Sequence, residues 1–404
     1  MNTEPPRQPP GRRRFWMAGT GLGMTSEGEK GRREWISVFA LQHRDDTREG
    51  EPLPCPFRCF RGQPALTPPQ AIYGQAPSTE GAQTPERPNA SVMDGFRMDL
   101  AAYFGRIGYV GEPRADLETL CALHRAHLLA IPYENLDVQL GRPVGLDAQA
   151  AFDKIVTRGR GGWCYEMNGL FAAVLEEIGF KVTRMAGAVM REAMGDIVLG
   201  NHLVLLVSVD GEPWIADVGL GDGSLDPYVL QAGPFSVEGY RFGLARLDRM
   251  WWRFQNHEQS AARSFDFIPE PSLPGVLAAH CEWQQTAPES TFVMNLVVQR
   301  FTGQEILQLH GRVLRSLRPD SRRERVLGSA DDLLRVLDRQ FGLDVPEAAS
   351  LWPRILARHE ELFESPALSA TRKPVRLTST APTRSTGRAP PPSPRPREPA
   401  PQRR

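Results

Sequence analysis

The chain has 404 residues, 48 of them basic and 48 acidic, so its balanced charge gives no lead towards nucleic acid or an anionic membrane. Its five cysteines, Cys55, Cys59, Cys121, Cys164 and Cys281, are an odd, sparse set that does not make a disulfide framework, and Cys55 and Cys59 lack a second pair to complete a zinc site. No apolar run is long enough to span a bilayer and no signal peptide is evident, which favours a reducing, cytoplasmic setting.

Residues 1–92 are rich in Pro, Gly, Arg and Glu and lack sustained apolar periodicity, so they read as a disordered or spurious N-terminal extension. The folded part is expected over 93–366. Within it, 93–180 reads as helical, through RMDLAAYFGRIGY, LETLCALHRAHLLA and AQAAFDKIV. His124 and His127 lie three apart on one helical face, and Glu134 follows as a conceivable third metal ligand. No HExxH or comparable signature completes such a site, so no metal is assigned.

The segment RGRGGWCYEMNGLF then changes character. Gly159, Gly161 and Gly162 permit a tight turn or a close backbone approach. Leu170, Phe171, Val174, Leu175 and Ile178 recur at helical spacing, and Gly179 is a natural stop. Cys164 falls in the first turn of that helix, where unpaired backbone N–H groups and the dipole favour an anion and can lower a thiol pKa. A packed, inert cysteine is the competing reading from this segment alone.

From 181 to about 300 the apolar period shortens. KVTRMAGAVM, HLVLLVSV, PWIADVG, WWRFQ, SFDFIP and TFVMNLVVQ read as strand candidates separated by turn residues. Residues 301–366 read as a smaller α/β segment, with an N-cap near Ser329 and a helix end at Gly342. The Pro/Arg-rich stretch 367–404 reads as a disordered tail.

A nucleophilic thiol needs a base, and the base needs an orienting group. His257, His280, His310 and His359 lack a convincing acidic neighbour and read as surface or interdomain residues. His202 opens the strand HLVLLVSV, which ends in the turn signal Asp210-Gly211. If those two residues form the loop, Val209 faces Glu212 and Val204 faces Asp217. His202 is then a diagonal neighbour of Asp217 on one face. A looser loop separates them unless a bulge intervenes. Asp217 also interrupts an apolar run, and buried carboxylates are rarely left unpaired. The constellation Cys164, His202, Asp217 suits a cysteine protease, a transglutaminase-like enzyme or an acyltransferase, and its geometry does not choose among them.

These residues resemble the arylamine N-acetyltransferase family. The resemblance rests on RGGWCYEMNGLF, on His202 followed by LVLLV, on WIADVGLG around Asp217, on IPYENLDV at 131–138, and on MDLAAYFGRIGY and TAPESTFVMNLVVQR. It spans about 93–362. It implies an α+β fold with a cysteine-protease-like arrangement: a helical domain (93–180) with the nucleophile, a β-barrel domain (181–300) with His202 and Asp217, and an α/β lid domain (301–366). It implies ping-pong transfer of acetyl from acetyl-CoA, as cosubstrate, to arylamines, hydrazines and related amines. The implied partners are small molecules alone, with no nucleic acid or membrane, and the implied state is a monomer or weak homodimer. Gly219 and Gly221 match glycines near the path of CoA, and Arg160, Asn168 and Glu134 match site-supporting positions. Leu220 stands where the family usually has a phenylalanine lining the acceptor pocket, so its acceptor selectivity is expected to differ. The alternatives are a macrolactam-forming amide synthase that uses a long acyl thioester, and a cysteine-dependent hydrolase.

Overall fold

The structure is a computed structural model that describes residues 98–273 and 275–364. The expectations for 1–92 and 367–404 lie outside the described residues.

The helical segment is built as its caps dictate. Helix α1 (Leu100–Ile107) begins where the Asp99 carboxylate accepts from the Ala102 N–H, and ends at Gly108 in the left-handed region. Asp116 caps α2 (Leu117–Ala130) in the same way. A two-residue strand, β1 (Tyr133–Glu134), precedes α3 (Cys164–Ile178), which ends at Gly179 with φ of 108°.

Eight antiparallel strands follow: β2 (Lys181–Val189), β3 (His202–Val209), β4 (Glu212–Ile215), β5 (Tyr228–Val229), β6 (Gly233–Val237), β7 (Tyr240–Arg246), β8 (Trp252–Gln255) and β9 (Ser264–Phe267). Their order in the sheet is β5-β4-β3-β2-β9-β8-β7-β6. The sheet is curled, not closed by a backbone ladder. Its two edges meet through stacked rings: Tyr228 of β5 lies 4.9 Å from Phe235 of β6, ring to ring, and 5.2 Å from Phe254. The expected barrel is thus a half-closed sheet held shut by aromatic packing.

Helix α4 (Val276–Thr286) leads to a second sheet of β10 (Val297–Phe301), β11 (Ile306–His310), β12 (Val313–Arg318) and β13 (Ser321–Val326), with β1 on its edge. Alternation puts Ile306 in the core shared with the first sheet and Leu307 and Leu309 in a second core. That second core is covered by α5 (Ala330–Val336), capped by Ser329 as its sequence indicates, and by α6 (Trp352–His359). The architecture is α+β, as the sequence implies.

Three sequence readings are corrected. TFVMNLVVQ is a helical turn at Thr291–Met294 followed by β10, not one strand. Strand β10 crosses residue 300 and pairs with β11 and with β1, so it belongs to the later sheet. His257 is buried, 3% exposed, with its Nε2 3.1 Å from the Asp222 carbonyl and its ring against Tyr240 and Phe242.

Candidate active site

The glycines before Cys164 let two backbones touch. A Cβ at Gly161 would strike the Pro132 carbonyl and come within 2.8 Å of the Glu134 side chain; one at Gly162 would come within 2.9 Å of Glu166. Without them the loop lies along β1, with the Glu134 N–H donating to the Gly162 carbonyl at 2.9 Å. Helix α3 then starts at Cys164 itself. The Glu166 carboxylate reaches back to accept from the Trp163 N–H at 3.2 Å, satisfying one donor of the first turn.

Beneath this turn lies a buried ion cluster. Arg160 donates to Glu134 at 2.7 and 3.1 Å and to Asp137 at 3.3 Å. Lys154 Nζ lies 2.9 Å from both oxygens of Glu166 and 2.9 Å from Asp137. Burial pushes Glu166 up to about 7 in spite of Lys154. Burial also disfavours the Lys154 cation, but Glu134, Glu166 and Asp137 outweigh it and hold its pKa above the usual lysine value. Glu134 and Arg160 meet here; Lys154 and Asp137, absent from the sequence reading, complete the cluster. The chain has only four lysines, and nothing in the local pattern DKIV marks this one as buried.

His202 and Asp217 are joined by the hairpin. Asp210 and Gly211 both have positive φ, 51° and 85°, which is the tight primed turn an Asp-Gly pair favours. The register is Val209 with Glu212 through Leu206 with Ile215. Ladder pairing stops at Ile215, although the Ala216 N–H still donates to the Leu205 carbonyl at 3.0 Å. Asp217 therefore follows without a bulge, and its Oδ2 is 2.7 Å from His202 Nε2.

The other oxygen of Asp217 is equally engaged. Oδ1 accepts from Asn168 Nδ2 at 2.7 Å and from the Gly219 N–H at 2.9 Å. Asn168 also donates to the Leu203 carbonyl at 2.6 Å and accepts from the Val218 N–H at 2.9 Å. One helix residue, four after Cys164, thus ties the helix of Cys164 to β3 and to the residues that follow β4. Burial raises the Asp217 pKa, but His202, Asn168 and Gly219 together bring it below the usual carboxylate value. Because Nε2 of His202 faces Asp217, Nδ1 is the ring nitrogen left for a thiol.

Cys164, His202 and Asp217 are 2%, 2% and 6% exposed. Cys164 Sγ is 3.9 Å from the carbonyl of Asn201, the residue before His202. That peptide is clamped, since Asn201 bonds Val189 through its side chain and its carbonyl accepts from Gln284 at 3.1 Å. Burial pushes the Cys164 thiol up, opposed by backbone N–H groups of Leu203 and Tyr165. The direction is opposite to that expected from the helix start alone, because the cysteine lies deep as well as first.

Gly219 packs against the start of α3: its absent Cβ would lie 2.5 Å from Asn168 Nδ2 and 2.8 Å from Cys164 Cα. Gly221, at φ of 85°, leaves room for Gln299 and Tyr133. Leu220 between them is half-buried. His124 and His127 are core residues on α2. Their Nδ1 atoms lie 3.0 Å from the Leu225 carbonyl and 2.8 Å from the Tyr103 hydroxyl.

Sequence reasoning also missed Asp222. Its carboxylate is fully buried and accepts from the Ala261 N–H at 2.6 Å, Gln308 at 2.7 Å and Asn256 at 3.2 Å. It ties the loop after Asp217 to both sheets, and burial raises it to about 6. An acid directly after Gly221, without a basic neighbour in sequence, was the available signal.

A sequence profile of the N-acetyltransferase family matches residues 116–350. The arylamine N-acetyltransferase of Mycolicibacterium smegmatis is 38% identical over 261 residues, 62% of this chain and 94% of that protein. The Escherichia coli arylamine N-acetyltransferase is 33% identical over 257 residues, 62% of this chain and 90% of that protein. Among solved structures, the M. smegmatis arylamine N-acetyltransferase superposes with a TM-score of 0.58 at 36% identity, covering 64% of this chain and 97% of that one. The Mycobacterium marinum arylamine N-acetyltransferase in complex with CoA superposes with a TM-score of 0.59 at 31% identity, covering 65% and 99%.

Proposed function

The chain belongs to the arylamine N-acetyltransferase family, and from that premise we propose that it transfers acetyl from acetyl-CoA to an arylamine, hydrazine or related amine through an acetyl-Cys164 intermediate. The observation that carries this reading is a cysteine at the first residue of α3, bridged through Asn168 to a His202–Asp217 pair at 2.7 Å. The acetyl-CoA donor is supported by the CoA complex of the M. marinum relative.

In the proposed first half-reaction, the Cys164 sulfur attacks the acetyl carbonyl as its proton passes to His202 Nδ1. The new S–C bond forms, the bond to the CoA sulfur breaks, and the departing thiolate takes the proton back. In the second, the amine nitrogen attacks the acetyl-Cys164 carbonyl. The C–N bond forms, the C–S bond breaks, and the amine proton travels through His202 to the Cys164 sulfur. Asp217 holds the imidazole in one tautomer and stabilises the imidazolium. Asn168 is a positioning residue that fixes Asp217. Glu134 and Arg160 belong to the cluster that seats the first turn of α3. From the match of Gly219-Leu220-Gly221 to the family's pattern after Asp217, we read the two glycines as bordering the donor's path and Leu220 as a wall of the acceptor pocket. The second sheet, with α5 and α6, takes the lid role.

Incubation with acetyl-CoA and no amine, followed by intact mass measurement, tests the reading. A gain of one acetyl group is expected, lost in Cys164→Ser and discharged by an added arylamine. No gain, or a gain that survives the substitution, refutes it. Acceptor selectivity is read by comparing the parent with Leu220→Phe over anilines, aminobenzoates, aminophenols and hydrazides. An unchanged ranking would remove Leu220 from the pocket.

A further inference from the structure

A narrow cleft with about 30 Å³ of accessible space lies between α6 and strands β11 and β12. None of Cys164, His202 and Asp217 lines it. Four arginines do, Arg312, Arg315, Arg354 and Arg358, and no aspartate or glutamate does. Each guanidinium is held by a protein acceptor on part of its edge. Arg312 Nε donates to the Leu327 carbonyl at 3.0 Å, and Arg354 Nη2 donates to the Gln139 carbonyl at 2.8 Å and to its side-chain oxygen at 2.5 Å. Arg315 Nε meets Glu324 at 2.9 Å. Arg358 meets Asn295 through Nε and Glu361 through Nη1.

Two consequences follow. Arg315 pairs with Glu324 and Arg358 with Glu361, while Arg312 and Arg354 have no carboxylate partner among the residues whose side chains are described. In addition, both terminal nitrogens of Arg312 and Arg315, Nη1 of Arg354 and Nη2 of Arg358 have no protein acceptor among the described residues. A guanidinium offers five donors in a fixed fork. Forks already anchored at one edge lose little side-chain freedom when the other edge takes a ligand.

We propose that this cleft is an anion site, separate from the acetyl-transfer centre, that takes the phosphoryl group of a small metabolite. Tetrahedral oxyanions match several guanidinium forks at once.

The test uses full-length protein at low salt with inorganic pyrophosphate as probe, followed by calorimetric titration and thermal melting. Saturable binding and a rise in Tm of a few degrees are expected. The Arg312→Gln/Arg354→Gln variant is expected to lose at least tenfold in affinity while its kcat/KM for acetyl transfer stays within twofold of the parent. Arg354→Gln alone, at an exposed position, serves if the double variant does not fold. No binding, equal binding by parent and variant, or competition of pyrophosphate with acetyl-CoA would each overturn the proposal.

Discussion

Gly219→Ala places one methyl group where the hairpin loop meets Cys164. The added Cβ would lie 2.8 Å from Cys164 Cα, 0.6 Å inside the 3.4 Å at which ordinary contact begins, and 2.5 Å from Asn168 Nδ2. Gly219 is not among the positive-φ glycines, so the penalty is steric and not conformational. Neither neighbour yields cheaply. Cys164 Cα is backbone at a helix start, and Asn168 holds Asp217 at 2.7 Å. Overpacking of this kind costs about 1–3 kcal/mol. A displacement of the reacting group by about 1 Å can cost roughly a hundredfold in rate. The variant is therefore expected to melt several degrees lower and to lose about 100-fold in the rate of Cys164 acetylation, read by rapid-quench mass measurement. Gly169→Ala is the control. It lies in α3 where a Cβ meets nothing within 4 Å, and helix propensity alone should stabilise it by about 0.5–1 kcal/mol. Parent-like acetylation in Gly219→Ala would show that the loop does not press on the nucleophile, and the packing argument would fail.

Asp217→Asn should slow acetylation by about 10⁴-fold, as loss of the tautomer anchor does in serine triads, with Tm measured alongside to separate folding from chemistry. Lys154→Met removes a cation, 4% exposed, from among Glu134, Asp137 and Glu166 and should destabilise by about 3–5 kcal/mol in urea unfolding. Asp222→Asn tests a pH effect. The group rises from 3.8 to about 6 on folding, so it costs stability only when charged; its contribution falls as pH climbs from about 4 through 6, by about 3 kcal/mol. The variant should lose that slope in urea unfolding, and an identical slope would refute the assignment. Alkylation of Cys164 against pH is expected to begin below the free-thiol value of about 8.5. Burial opposes a lone thiolate, so alkylation below that value requires a neighbouring positive charge on the proposed base. A single step at or above the free-thiol value would leave burial in control.

The legible parts of this protein are those whose rules are local. Asp210-Gly211 specifies a turn, the turn specifies a register, and the register carries His202 to Asp217 without knowledge of any other strand. Cys164 and Gly179 bound α3 for equally local reasons. What stayed hidden depends on distant partners. Strand β10 follows the middle segment in sequence, but its hydrogen bonds go to β11 and β1. Lys154 reads like any exposed lysine until three carboxylates from two separate stretches of chain converge on it. The thiol's electrostatics needed burial as well as position, and depth is not written in a one-dimensional pattern.

The bond between Asn168 and Asp217 also has a meaning in time. It links residues 49 apart, on elements that cannot meet until the helical segment and the curled sheet have each formed. Asp222 and Gln308, 86 apart, make the same demand of the second sheet. Contacts of such long range pay their loop-closure entropy late in folding. During refolding, recovery of acetylation should therefore lag behind recovery of helical ellipticity, so catalytic activity serves as a clock for the docking of preformed parts.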